Sequence, residues 1–95
     1  MNQILQFIGF FLPQVMEDFT EIIKEKIKEV AFKKVSNDEE LFKSGVLTSI
    51  LTVELATALE DELEISIPFT EITFENFQTV MSIQQFINSK KNNAV

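Results

Sequence analysis

A small all-α bundle of three longer helices and one short helix, with a long loop between the first two, is the fold this 95-residue sequence predicts. Apolar residues make up 45% of the chain and recur mainly at three- and four-residue spacing, the period of a helix that buries one stripe. Only two glycines and two prolines interrupt it, so long elements are expected rather than many short strands. The one alternating stretch, Glu64 to Pro68, has no partner strand elsewhere. It reads as a loop that buries Ile65 and Ile67.

Residues 1–15 differ from the rest. Ile4, Leu5, Phe7, Ile8, Phe10, Phe11 and Leu12 form an uncharged apolar leader closed by Pro13. It is too short for a transmembrane helix, which needs about 20 apolar residues. It also lacks the basic start and cleavage site of a secretory signal, and membrane anchoring normally needs a basic face. No stable membrane insertion is expected, and self-association through residues 1–15 is the expected outlet for this apolar surface.

The domain pattern covers residues 16–90. A first helix is expected from Met16 to about Lys34, with Phe19, Ile22, Ile23, Lys26, Ile27, Val30 and Ala31 along its apolar stripe. Ser36, Asn37 and Asp38 break it with turn chemistry, and Leu41 and Phe42 should anchor the following loop to the core. A second helix runs from about Ser49 to Leu63, with Ile50, Val53, Leu55, Ala56, Leu59 and Leu63 on its buried side. A short helix around Phe74 to Gln78 follows. Thr79 then caps a final helix whose Val80, Ile83, Phe86 and Ile87 share one face. Residues 91–95 are expected to fray.

Composition narrows function. Histidine and cysteine are both absent, which removes the commonest general base, the strongest nucleophile and the usual zinc ligands. The chain does not read as an enzyme. Its net charge is −7 and it has no arginine, so it lacks the basic stripe needed to displace counterions from nucleic acid. The charge is uneven. Glu17 to Val35 holds five acids and five lysines, whereas Ser36 to Val80 holds ten acids and only Lys43. That field suits a protein partner with a basic patch, and Glu54, Glu60, Asp61 and Glu62 on the second helix are the candidates to meet it.

Gly45-Val46-Leu47-Thr48-Ser49-Ile50 is the most informative stretch. Gly45 permits a tight turn, and the turn delivers Ser49 to a helix start. The first N–H groups of a helix lack internal partners and favour negative charge. A phosphodiester on Ser49 suits that place, and so does a plain N-cap role for Ser49 or Thr48.

The order of segments resembles an acyl carrier protein from about Met16 to Lys90. In that family a Gly-x-Asp-Ser-Leu-type motif places a serine at the start of the second helix. The matching stretch here is Gly45 to Ile50, followed by Thr52-Val53-Glu54-Leu55 and Leu59-Glu60-Asp61-Glu62-Leu63. Asp38 to Phe42 upstream, Ile65 to Pro68 and Phe77 to Ile83 downstream match as well. The resemblance implies a cytoplasmic carrier with 4′-phosphopantetheine on Ser49, flanked by Thr48. A phosphopantetheinyl transferase would attach it, and acyl groups would ride as thioesters to partner enzymes with basic patches, as in fatty-acid or related acyl metabolism. Val53, Leu59, Ile67 and Phe86 would line an acyl chain. Thr48 stands where the family usually has aspartate, and Leu51 where fatty-acid carriers often have an acid. The Gly-x-Leu-x-Ser spacing is similar to D-alanyl carrier proteins, so a D-alanyl or aminoacyl cargo is an alternative. An unmodified acidic adaptor that kept only the fold is another.

Overall fold

The computed structural model describes residues 18–92. The apolar leader 1–15, with the self-association expected of it, lies outside the described residues, as do 93–95. Within them the helices are α1 (Thr20–Ala31), α2 (Ser49–Leu63), α3 (Phe74–Phe77) and α4 (Val80–Asn92). A 3₁₀ turn, Phe69–Glu71, precedes α3. No strand occurs among the described residues, and Glu64 to Pro68 is irregular chain. The fold is the all-helical bundle that periodicity predicts.

The α1 helix is shorter than expected. It begins at Thr20, whose amide and hydroxyl both donate to the Asp18 carboxylate at 2.9 and 2.6 Å. The Thr20 hydroxyl, then its amide, hold that carboxyl below its ordinary range. At the other end Phe32 takes a left-handed conformation (φ 58°), and its N–H bonds back to the Lys28 carbonyl. That residue ends the helix before Lys33 and Lys34, and the chain then brings Val35 into the core. Residue type gives no warning here, because glycine or asparagine usually occupies such a position. α4 runs through Asn92, so its last two residues fall in the tail expected to fray.

One core joins all the elements. Ile23 and Ile27 from α1, Leu55 and Leu59 from α2, Phe77 from α3, and Val80, Ile83 and Ile87 from α4 are fully buried. Each such side chain contributes about 1.5–3 kcal/mol. The long loop adds Leu41, Val46 and Leu47. It is tied to the start of α4 by two backbone bonds, Leu41 N–H to Gln78 at 2.8 Å and Met81 N–H to Asn37 at 3.1 Å. Phe42, half-buried, packs against the same core. Ile67 is buried and Ile65 half-buried, as the loop reading required.

Two buried polar residues were not anticipated. Gln84 Oε1 accepts the Phe19 amide at 2.7 Å, so α4 caps the start of α1. Asn88 donates to the Gln84 carbonyl at 3.1 Å beneath it.

The buried side of α2 also needs correction. Thr52, Leu55, Ala56, Leu59 and Leu63 form its stripe, while Ile50 is 72% exposed and Val53 is exposed as well. At about 100° per residue, Ile50 and Val53 point well away from Leu55. The helix is apolar on more than one side, and only one side meets the core.

Candidate functional site

The loop before α2 is set by a short series of bonds. Ser44 and Gly45 donate to the carbonyls of Glu40 and Phe42 at 2.9 and 3.1 Å, and Leu47 donates to Leu41 at 3.0 Å. Gly45 sits at φ +82° with open space where a Cβ would be. Its backbone angle requires glycine there, not crowding. Val46 and Leu47, both buried in the core, follow the turn and fix where the helix can start.

Thr48 takes the N-cap. Its extended backbone (φ −109°, ψ 177°) presents the side-chain oxygen to the Leu51 amide at 3.2 Å. Its carbonyl accepts both the amide and the hydroxyl of Thr52, at 2.9 and 2.6 Å. Thr48 therefore does the capping that either residue could have done, and Ser49 is left free at the first helical position. Among the described residues the Ser49 hydroxyl is exposed and makes no hydrogen bond, and the Ser49 and Ile50 amides find no backbone acceptor. An exposed hydroxyl beside unpartnered amides at the head of a fifteen-residue helix suits attachment of an anionic group.

Beside Ser49 an open cavity of about 390 Å³ is lined by Phe42, Thr52, Val53, Phe69, Ile72, Thr73 and Phe74. Phe42 and Phe74 close one wall, with ring centroids 5.4 Å apart. Of the four residues expected to line an acyl chain, only Val53 borders this space. Leu59 and Ile67 are buried in the core, and Phe86 leans on Phe77 at 5.8 Å. The walls come from the 3₁₀ turn and α3 instead. The phenylalanines of Phe69-Thr-Glu-Ile-Thr-Phe74 were the available sequence signal, since apolar residues beside turn-forming threonines were not needed for the helical stripes.

The four acidic candidates divide into two pairs. Glu54 and Asp61 are exposed and have no partner among the described residues. Glu60 Oε2 accepts the Ile67 amide at 2.7 Å and so holds the chain after α2 against the helix. Glu62 pairs with Lys26 of α1 at 3.2 Å. Glu62, and then Glu29, hold the Lys26 ammonium above the usual lysine value against the opposing cost of partial desolvation. Half of the predicted docking charge is occupied within the molecule.

The bundle, the capped turn and the free serine define a carrier domain. Residues 17–87 match the family model described as a phosphopantetheine attachment site, and the chain belongs to that family. Its members bind 4′-phosphopantetheine and act as carriers, not as enzymes. The chain is 32% identical over 79 residues to the D-alanyl carrier protein of Streptococcus uberis, covering 83% of this chain and 92% of that protein. It is 37% identical over 71 residues to the D-alanyl carrier protein of Streptococcus pyogenes serotype M5, covering 75% and 82% respectively. Carriers of this kind work with a phosphopantetheinyl transferase and with acyl-transferring enzymes. No helix among the described residues is long and apolar enough to cross a membrane.

Proposed function

We propose that this protein carries a small aminoacyl group of the D-alanyl class on 4′-phosphopantetheine attached to Ser49, in the cytoplasm. The observation that carries the reading is the division of labour at the head of α2. Thr48 caps the helix and Ser49 Oγ stays exposed and unbonded among the described residues. The likeness to two proteins named as D-alanyl carriers supports the cargo. So does the full burial of Leu55, Leu59 and Ile83, a closed core with no need to part for a cargo as small as alanyl. When bound, the group supplies the thiol that this cysteine-free chain lacks. The chain itself holds the attachment oxygen at a fixed helix terminus and leaves its amides available to the phosphodiester charge.

The test is an intact mass measurement. The full chain incubated with coenzyme A, magnesium and a broad-specificity phosphopantetheinyl transferase should gain one phosphopantetheine, and Ser49→Ala should gain none. Because Thr48 holds the cap, Ser49→Ala should also melt within a few degrees of the parent. The modified chain, given D-alanine, ATP and an enzyme that activates D-alanine for carrier loading, should gain one alanyl group. Loading with a long-chain fatty acyl group in preference to alanyl would defeat the cargo assignment. Modification of the alanine variant would defeat the site.

A further inference from the structure

We propose that Phe69, with Phe74 lining the same cavity, is the anchor by which an acyl-transferring partner enzyme grips the Ser49 end, in an apolar socket rimmed by lysine or arginine. This rests on the carrier reading and adds to it the surface that the partner reads. Phe69 is 79% exposed, Ile50 72% and Phe74 51%. Apolar side chains scattered singly over a surface need no explanation. Phe69 and Phe74 converge, because both line the cavity beside Ser49, and Ile50 follows that serine in the chain.

Phe69 is presented on a pinned turn. Pro68 precedes it at φ −60°, and Glu71 N–H closes the turn on the Pro68 carbonyl at 2.8 Å. The Glu71 carbonyl accepts Asn76 Nδ2 at 2.9 Å, and its carboxylate pairs with Lys90 Nζ at 2.6 Å. Lys90 in turn lies 5.9 Å over the Phe86 ring, and Ile72 packs against the core. A turn held this way adds little backbone ordering cost when its exposed ring is bound, which is how a preorganised anchor contributes affinity.

Charge selects the partner. Glu54, one helical turn beyond Ile50, and Glu75, next to Phe74, are exposed and unpaired among the described residues. The single lysine between Ser36 and Val80, Lys43, is already beside Glu40 at 3.4 Å. A second copy of this chain docked on the same patch would bring two acidic rims together, and an anionic membrane would be repelled. A basic-rimmed apolar socket complements both features.

The probes are the same phosphopantetheinyl transferase with coenzyme A and the D-alanine-activating enzyme, used with the full-length parent, Phe69→Ala, Phe69→Leu and Glu54→Gln. Phe69→Ala should raise KM roughly 30-fold for the D-alanine-activating enzyme with kcat little changed, as expected for a hot-spot aromatic. Phe69→Leu should recover part of it, and thermal midpoints should match the parent because the ring is exposed. The Phe69 effect should persist at high salt, while the smaller Glu54→Gln effect should vanish there. Unchanged KM for Phe69→Ala with the activating enzyme, on a parent that is modified and loaded, overturns the anchor and leaves the carrier reading standing. A parent that accepts no phosphopantetheine overturns both. A parent dimer that Phe69→Ala disperses assigns the patch to self-association and overturns the partner.

Discussion

The first and last turns of α2 belong to one helix and one acidic segment, yet their polar groups do different work. At the head, Thr48 takes the structural duty and leaves Ser49, Glu54 and the exposed Ile50 without internal partners. In the last turn, Glu60 holds the Ile67 amide and Glu62 holds Lys26, so of its three acids only Asp61 stands free among the described residues. Carboxylates that look equivalent in sequence are therefore unequal in availability. A partner can use a charge that the fold has not already used. Distance sharpens the contrast, because Glu54 lies about 7.5 Å along the axis from Ser49 and Asp61 about 18 Å.

Substitutions can test this division in order of expected size. Glu60→Ala should destabilise by about 1.5 kcal/mol, since it removes a charged acceptor and leaves a part-buried amide without one. Glu60→Gln should recover part of the loss, both read as shifts in urea midpoint. If Glu60→Ala is as stable as the parent, the tail of the helix is as uncommitted as its head. Thr48→Ala should lose about 1 kcal/mol by the same measurement, the usual cost of an N-cap. A loss for Ser49→Ala equal to that for Thr48→Ala would mean the two residues share the cap. Asp61→Lys should leave stability within about 0.5 kcal/mol. It should weaken association with the activating enzyme less than Glu54→Lys does, and the gap should close as salt is raised.

The smallest effect concerns pH. Lys26 is raised above its ordinary value of 10.5 by Glu62 first and then Glu29. Its contribution is therefore fully present below pH 10.5 and fades as pH rises through the higher folded value. Glu62→Gln should flatten that alkaline decline in thermal midpoint. An identical alkaline profile for parent and variant would mean that the Lys26–Glu62 pair does not act in solution.

What the sequence could reveal followed how local each signal was. The bounds of α2 were legible to the residue, because a glycine turn and a capping threonine lie next to the stripe they start. Thr79 likewise caps α4 as expected, accepting the Ser82 amide at 3.0 Å. The end of α1 was not legible, because Phe32 adopts a conformation that its type disfavours and is left 85% exposed. The exposure of Ile50 and Val53 was hidden by an apolar surround that gives α2 no single obvious face. The cavity walls and the partners of Glu60, Glu62 and Gln84 were hidden for a different reason. Each depends on a residue brought close only by the tertiary fold, and periodicity reads one element at a time.

The bond from the Phe19 amide to Gln84 reaches across 65 residues of sequence, and it has a consequence for biosynthesis. During translation, at about 5–20 residues per second, the capped start of α1 is made early. Its acceptor is made 65 residues later. α1 must wait as an unclosed helix, too short to be stable alone, until nearly the whole domain has emerged. The domain should therefore fold in one step only once Gln84 has emerged. Stalled chains ending before Gln84 should be digested by protease as readily as an unfolded peptide.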